Sequence, residues 1–201
     1  GTILALEPIR IDPRTRTGGG SADSVLSTPS QGERFLVFLR HEASPIPWYN
    51  GAPPPDNLNP DTVRRFTETT YRAYAEELSA EFGGAVPGIF TDEPNVSHGH
   101  FDLEGKRWIP WTDALPEFFK DRRGYGIEEV VPRLFFEGDA APRARHDFWR
   151  TIGELFLRSF TAQIAGWCAA NRLAFTGHFL AEGDLGMAIA RGGLVMPHYV
   201  H

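Results

Sequence analysis

The sequence predicts an α/β fold in which parallel strands alternate with helices. Four short apolar runs have the continuous hydrophobic pattern of strands buried on both faces, at residues 35–39, 85–91, 173–176 and 194–196. Segments with helical periodicity separate these runs. Strands that alternate with helices along a chain are typical of parallel βαβ units, so we expect the strands to form one parallel sheet.

The first helix has a well-marked start at Asn59-Pro60-Asp61. Asn is a good N-cap, Pro suits the first helical position, and Asp complements the positive end of the helix dipole. Apolar residues recur at helical spacing from Val63 through Phe66 and Tyr74, up to the pair Gly83-Gly84 that ends the helix. Further helices are predicted over residues 113–123, 127–135, 142–170 and 184–191.

The chain divides into two predicted parts. Residues 1–34 read as a β and loop segment that extends or is inserted into the main domain, whereas residues 35–201 hold the βα units. The sequence begins at Gly1 without an initiating Met and stops at His201 within an apolar pattern. We therefore expect a piece of a longer polypeptide, whose remaining part would cover the open edges of the sheet.

Composition excludes several classes of partner. The formal net charge is -6 and the two signs are interspersed, which argues against a nucleic acid or an anionic membrane held by charge. There is no run of about 18 apolar residues that could span a membrane. The single cysteine, Cys168, cannot form an internal disulfide and is expected to be an inert buried thiol. We expect a soluble protein, either cytoplasmic or secreted.

Polar side chains follow every predicted strand. In parallel sheets, functional groups lie just past the carboxyl ends of the strands, so these side chains are expected to share one rim. In chain order they are Arg40, then Asp92 and Glu93, then His178 and Glu182, and finally His198 and Tyr199.

Glu93 is the main catalytic candidate. It lies between an apolar strand and Pro94, where a carboxyl group is held rigidly and partly desolvated, as general-acid work requires. In the alternative reading Asp92 caps the next turn and Glu93 points into solvent. Glu182 is a candidate second carboxylate, because glycoside cleavage divides its chemistry between two carboxyl groups. It could equally belong to a helix cap formed by residues 182–184.

Aromatic residues in the predicted loops suggest a sugar ligand. Trp48 and Tyr49 adjoin Asn50, and Trp108 and Trp111 lie further along the chain. A flat aromatic face stacks on the C–H face of a sugar ring while polar neighbours bond to its hydroxyl groups. The alternative is that these rings pack beneath the long loops as small hydrophobic clusters.

No complete metal or cofactor motif is present. His98-Gly99-His100 resembles a ligand pair, and His178 with Glu182 has i, i+4 spacing, but there is no H-E-x-x-H motif and no cysteine pair. Neither a P-loop nor a G-x-S-x-G elbow occurs. We therefore predict neither a bound metal nor a cofactor.

Several stretches resemble bacterial (β/α)8-barrel glycoside hydrolases related to α-L-rhamnosidases, and more broadly the retaining glycosidases whose fourth strand ends in an Asn-Glu-Pro-like motif. These stretches are Pro47-Trp48-Tyr49-Asn50-Gly51, Leu58-Asn59-Pro60, Phe90-Thr91-Asp92-Glu93-Pro94, Thr176-Gly177-His178 with Glu182, and Met196-Pro197-His198-Tyr199. Together they cover most of the chain from about residue 32 onwards.

This resemblance implies a partial or complete (β/α)8 TIM-type barrel with long βα loops, in which Glu93 is the acid/base. Carbohydrate is then the substrate. The sugar-binding residues would be Asp92, His178, Trp48, Tyr49, Asn50, Arg40, His198 and Tyr199. A non-catalytic carbohydrate-binding or structural segment and a metal-dependent barrel hydrolase are the alternative functions.

Overall fold

The computed structural model describes residues 2–7, 37–96, 108–178 and 183–184. Within these ranges the strands form two separate sheets, one antiparallel and one parallel. The strands are β1 (Thr2–Glu7), β2 (Val37–Glu42), β3 (Gly88–Asp92), β4 (Trp108–Trp111) and β5 (Ala174–His178).

The antiparallel sheet has the order β2-β1-β4. Thr2 pairs with Glu42 and Glu7 with Val37, while the other edge of β1 pairs Thr2 with Trp111. The parallel sheet consists of β3 and β5, in a register that runs from Gly88 opposite Ala174 to Asp92 opposite His178.

The predicted (β/α)8 barrel is wrong. The second strand runs antiparallel to β1, and among the described residues only β3 and β5 form a parallel pair. A continuous apolar run indicates burial but carries no information on strand direction, so the run at 35–39 did not distinguish the two arrangements. The described chain is a small α/β domain, and the predicted fourth strand at 194–196 lies outside the described residues.

The predicted start of the first helical segment is confirmed. Helix α1 (Pro60–Phe66) begins after Asn59, whose Oδ1 accepts a hydrogen bond from the Asp61 N–H at 2.9 Å. A π-helical turn (Thr67–Tyr71) and helix α2 (Arg72–Leu78) continue it, followed by a 3₁₀ turn (Ser79–Glu81). The segment ends at Gly83, whose positive φ of 81° glycine adopts without steric cost.

The next three predicted helices also lie close to their predicted positions, whereas the one at 184–191 falls almost wholly outside the described residues. Helix α3 (Leu115–Arg123) ends at Gly124, and a 3₁₀ turn (Ile127–Glu129) leads to helix α4 (Val131–Phe135). The predicted long helix comprises helix α5 (Ala141–Phe156), a π-helical turn (Leu157–Thr161) and helix α6 (Ala162–Ala170). None of the described helices combines the length and apolar character needed to cross a membrane.

The core lies along the long helical segment. Phe148, Ile152, Phe156 and Ile164 recur at multiples of four residues, so they share one side of it, and all four are fully buried. Full burial of each such side chain contributes about 1.5–3 kcal/mol to the free energy of folding. Leu4 of β1 and Ile109 of β4 join the same cluster, so the core connects the antiparallel sheet to the helices.

Two polar contacts fix the start of α1 to this long segment. The buried Ser159 hydroxyl donates to the carbonyl of Leu58 at 2.8 Å, and Gln163 Nε2 donates to the carbonyl of Pro60 at 3.0 Å. Both donors lie on the π turn or just beyond it, at residues far from α1 in sequence. The loop before α1 is therefore held by the core.

We expect Gly177→Ala to destabilise the parallel sheet. A β-carbon at Gly177 would lie 2.1 Å from the backbone oxygen of Thr91, so one of the paired strands must shift. Overpacking of this kind costs about 1–3 kcal/mol in the free energy of unfolding, which urea denaturation measures. Gly166→Ala is the control, since a β-carbon on α6 meets nothing within 4 Å and should be neutral or stabilising. Equal stability of the two variants would contradict this packing.

Asp56 should make stability depend on pH. Burial raises the pKa of its carboxyl, and this effect is partly offset by hydrogen bonds from the Thr112 hydroxyl at 2.8 Å and the Leu58 N–H at 3.1 Å. A raised folded-state pKa means that the stabilising contribution is fully present below the ordinary carboxyl pKa and is lost as pH rises through the raised value.

The variant Asp56→Asn tests this linkage because its amide stays neutral and can still bond to Leu58 and Thr112. The free energy of unfolding of the wild type minus that of Asp56→Asn should fall as the pH rises from acid towards neutral. Urea titrations across that range measure the difference, with Asp121→Asn on the exposed face of α3 as the control. A difference that does not change with pH would contradict the assignment.

Candidate functional site

An open groove of about 500 Å³ lies between strand β3 and the first helical segment. Residues from Gly88 to Pro94 form one wall, and side chains of α1, its π turn and α2 form the other. The full lining is Tyr49, Pro55, Asn57, Thr62, Val63, Phe66, Tyr71, Tyr74, Gly88, Ile89, Phe90, Thr91, Asp92, Glu93, Pro94 and Phe160. The carboxylates Asp92 and Glu93 are therefore in the same groove as six aromatic rings.

Three of these rings are unusually accessible. The exposed fractions of Phe66, Tyr74 and Phe90 are 44%, 55% and 58%. Exposed apolar surface of this kind, gathered in one concave region and adjoining polar groups, is typical of a ligand site.

The π turn explains why two of these rings are exposed. Phe66 and Tyr74 share helical spacing with Val63, but the buried residues of this helical segment are Val63, Thr67 and Tyr71. A π turn holds more residues than a turn of α-helix, so residues spaced by four stay on the core-facing side of this segment. Phe66 and Tyr74 then line the groove.

Two tyrosines of the groove, Tyr49 and Tyr71, are protonated at neutral pH. Burial raises the pKa of Tyr49, and it raises the pKa of Tyr71 to about 12. Tyr71 is also fixed by its neighbours, because its ring lies 5.2 Å from that of Phe66 and 5.1 Å from that of Trp167. A phenol in this state donates or accepts a hydrogen bond without carrying charge.

Glu93 follows β3 directly, as predicted, and its backbone is in the left-handed region with φ of 48°. This conformation costs a residue with a β-carbon about 1–2 kcal/mol. The Glu93 N–H donates to the carbonyl of His178 at 3.1 Å, and the Glu93 carbonyl accepts from Asn95 Nδ2 at 2.9 Å. The half-buried Glu93 side chain lines the groove. Strained residues of this kind cluster at functional sites.

Asp92 and His178 come together at the same end of the parallel sheet. They are opposite each other in register, with Asp92 Oδ1 3.8 Å from His178 Nδ1. The His178 ring also meets the Phe90 ring edge to face at 5.2 Å. His178 is the last residue of β5 rather than lying beyond the strand. The predicted neighbourhood of Asp92, Glu93 and His178 is present.

The loop residues are placed differently from one another. Trp48 and Tyr49 lie in a 3₁₀ turn (Pro47–Tyr49) that ends at Asn50, whose N–H donates to the Pro47 carbonyl at 3.0 Å. The φ of Asn50 is 54°, which suits its place at the end of this turn. Of these residues, Tyr49 lines the groove, while Trp48 has 71% of its surface exposed.

Of the other predicted site residues, some lie away from the groove and some fall outside the described residues. Arg40 belongs to β2 instead of following a strand, and it pairs with Asp113 and Glu42 outside the lining of the groove. Trp108 and Trp111 belong to β4 rather than to a loop, and Trp111 packs against the core. Glu182, His198 and Tyr199 lie outside the described residues, as do His98 and His100.

Asn57 and Asn95 are part of this site and were not predicted. Asn57 Nδ2 donates to the Asn95 carbonyl at 2.9 Å, and Asn95 in turn donates to the Glu93 carbonyl. Both side chains bond to the backbone, so no residue pairing in the sequence reveals them. The Asn that follows Asp92-Glu93-Pro94 is the one feature that could have drawn attention to this contact.

Among the residues that the structure describes, neither a cluster of metal ligands nor a reactive thiol occurs at this groove. Within the described ranges, no three side chains of the His, Cys, Asp and Glu types come close enough to hold a metal ion. Cys168 is buried, and burial raises the pKa of its thiol. A buried thiol of raised pKa is poorly nucleophilic, in line with the inert role expected from the sequence.

No protein-family model matches the chain. No curated protein matches it. Among solved structures, it is similar to the structure of a rhamnosidase from Novosphingobium sp. PP1Y, with 22% sequence identity and a TM-score of 0.49. The alignment covers 63% of this chain and 12% of the rhamnosidase chain.

Proposed function

We propose that the protein is a glycoside hydrolase that binds carbohydrate in the groove and uses Glu93 as its general acid. The observation that carries this proposal is the strained Glu93, held directly after β3 at an aromatic groove. Hydrogen bonds on both sides of the Glu93 α-carbon fix its backbone and so set the direction in which the side chain leaves the chain. Orientation of this kind is what general-acid catalysis requires of the side chain that transfers the proton.

The remaining groove side chains support a carbohydrate ligand. Sugar rings present C–H faces that pack on aromatic side chains, and Phe66, Tyr74 and Phe90 offer such faces to the open groove. The hydroxyl groups of the sugar need hydrogen-bond partners, which Asp92 and the neutral Tyr49 phenol supply. An apolar groove with a few polar groups matches this mixed surface.

The reaction needs one proton transfer to the leaving group and the addition of one water. The Glu93 carboxyl protonates the glycosidic oxygen while the bond from that oxygen to the anomeric carbon breaks. Water then adds to the anomeric carbon and loses a proton to a carboxylate. Asp92, next to Glu93 in the groove, is available to hydroxyl groups of the sugar. Glu182 is the proposed second carboxylate of the reaction.

The variant Glu93→Gln tests the acid. Gln keeps the size of the side chain but cannot transfer a proton, so kcat for glycosides with poor leaving groups should fall about 100- to 10,000-fold. The full-length polypeptide is assayed against a panel of 4-nitrophenyl glycosides and the matching alkyl glycosides. Circular dichroism and urea denaturation should show unchanged folding.

Glu117→Gln, which alters an exposed carboxylate of α3 outside the groove lining, is the matched control and should retain wild-type rates. Wild-type turnover by Glu93→Gln would overturn the role of Glu93. Glycoside binding without turnover in the wild type would instead favour a non-catalytic carbohydrate-binding protein.

Phe66→Ala tests the aromatic wall. Loss of one stacking face should weaken binding of the cleaved glycoside roughly 2- to 10-fold, the value expected for a single aromatic contact. Calorimetry in the Glu93→Gln background measures this affinity without turnover. Phe136→Ala is the control, because Phe136 has a similar exposed fraction of 41% but lies outside the groove lining. Equal loss of affinity in both variants would contradict a sugar site at Phe66.

A further inference from the structure

The backbone conformation of Glu93 requires support from its surroundings. Its φ of 48° is positive, and a residue with a β-carbon adopts such a conformation only where neighbouring contacts favour it over the alternatives. Glycine would occupy this position without strain, but it could not supply a carboxyl group. The presence of Glu at a position better suited to Gly points to a role for the side chain.

Three hydrogen bonds hold this short segment. The Glu93 N–H donates to His178 on β5 at 3.1 Å, which continues the parallel ladder by one residue. Asn95 Nδ2 donates to the Glu93 carbonyl at 2.9 Å, and Asn57 Nδ2 donates to the Asn95 carbonyl at 2.9 Å. The peptide groups on both sides of the Glu93 α-carbon are thereby fixed.

The two asparagines are themselves well anchored. Asn95 is 3% exposed. Asn57 has an anchored residue on each side. The Asp56 carboxylate accepts a hydrogen bond from the Leu58 N–H at 3.1 Å, and the Leu58 carbonyl accepts one from the buried Ser159 hydroxyl at 2.8 Å. The hydrogen bonds therefore run from the core through the loop before α1 to the segment after β3.

We propose that Asn95 and Asn57 are positioning residues that hold Glu93 in its left-handed conformation and so direct its carboxyl group into the groove. They act through the backbone and need not touch the ligand. The proposal rests on the proposed function for its catalytic consequence, but its structural part stands apart from any activity. The experiment therefore has two measurements.

The variants are Asn95→Asp and Asn57→Asp, which keep the side-chain shape but replace the amide donor with a carboxylate. Asn171→Asp is the matched control, since Asn171 Nδ2 makes the same kind of bond, to the carbonyl of Trp167 at 2.8 Å, at the end of α6. The second site variant is needed because a carboxylate at the buried Asn95 could prevent folding, whereas Asn57 is less deeply placed.

The first measurement is amide hydrogen exchange in the full-length polypeptide. In both site variants, the Glu93 amide should exchange at least tenfold faster than in the wild type, while amides of α5 keep their protection. The control should leave the Glu93 amide unchanged. Wild-type exchange at Glu93 in a folded site variant would overturn the proposal, whether or not the protein cleaves glycosides.

The second measurement separates kcat from KM on the best alkyl glycoside, whose poor leaving group depends on protonation by the acid. Misplacement of the acid should lower kcat at least tenfold and change KM less than twofold, because the aromatic walls still bind the substrate. A rise in KM at constant kcat, or an equal loss in Asn171→Asp, would overturn the positioning role. If the wild type cleaves no glycoside, the proposed function fails, and the exchange measurement alone decides the structural part.

Discussion

The groove depends on a buried hydrogen bond between the Ser159 hydroxyl and the Leu58 carbonyl. Ser159 belongs to the π turn of the long helical segment, and Leu58 lies just before α1. An unpaired carbonyl at this depth would cost about 1–3 kcal/mol, so this contact strongly favours one position of the loop. The same loop contains Asn57, whose side chain bonds to the Asn95 carbonyl. Side chains that bond to the backbone thereby connect the core, the helices that line the groove and the segment after β3.

The two π turns place different residues at the groove. The turn at Leu157–Thr161 brings Ser159 to the loop and Phe160 to the groove. The turn at Thr67–Tyr71 keeps Tyr71 buried against Trp167 and leaves Phe66 and Tyr74 accessible. Each turn gives up regular helix geometry, and single π turns are frequent at functional sites. The groove therefore combines a well-packed base with exposed aromatic walls.

Local features of the sequence were predicted better than their assembly. The start of α1 followed from Asn59-Pro60-Asp61, and the position of Glu93 followed from an apolar run ending at Asp92-Glu93-Pro94, because each depends on neighbouring residues. Strand direction was not predictable, since β2 pairs with β1 across 29 residues that the structure does not describe and hydrophobicity has no direction. The exposure of Phe66 and Tyr74 was not predictable either, because periodicity assumes a regular helix, which the π turn interrupts.

In the candidate site, titratable side chains were easier to predict than contacts to the backbone. Glu93, Asp92 and His178 were identified because titratable groups after strands are visible in a sequence, whereas Asn57 and Asn95 act on carbonyl groups that no sequence displays. Yet the strain at Glu93 gives the asparagines their importance, because an unstrained carboxylate would need no such support. A residue with a β-carbon in a glycine-like conformation transfers a structural requirement to its neighbours. The backbone geometry at Glu93 is therefore tied to the packing of a loop that precedes it by more than thirty residues.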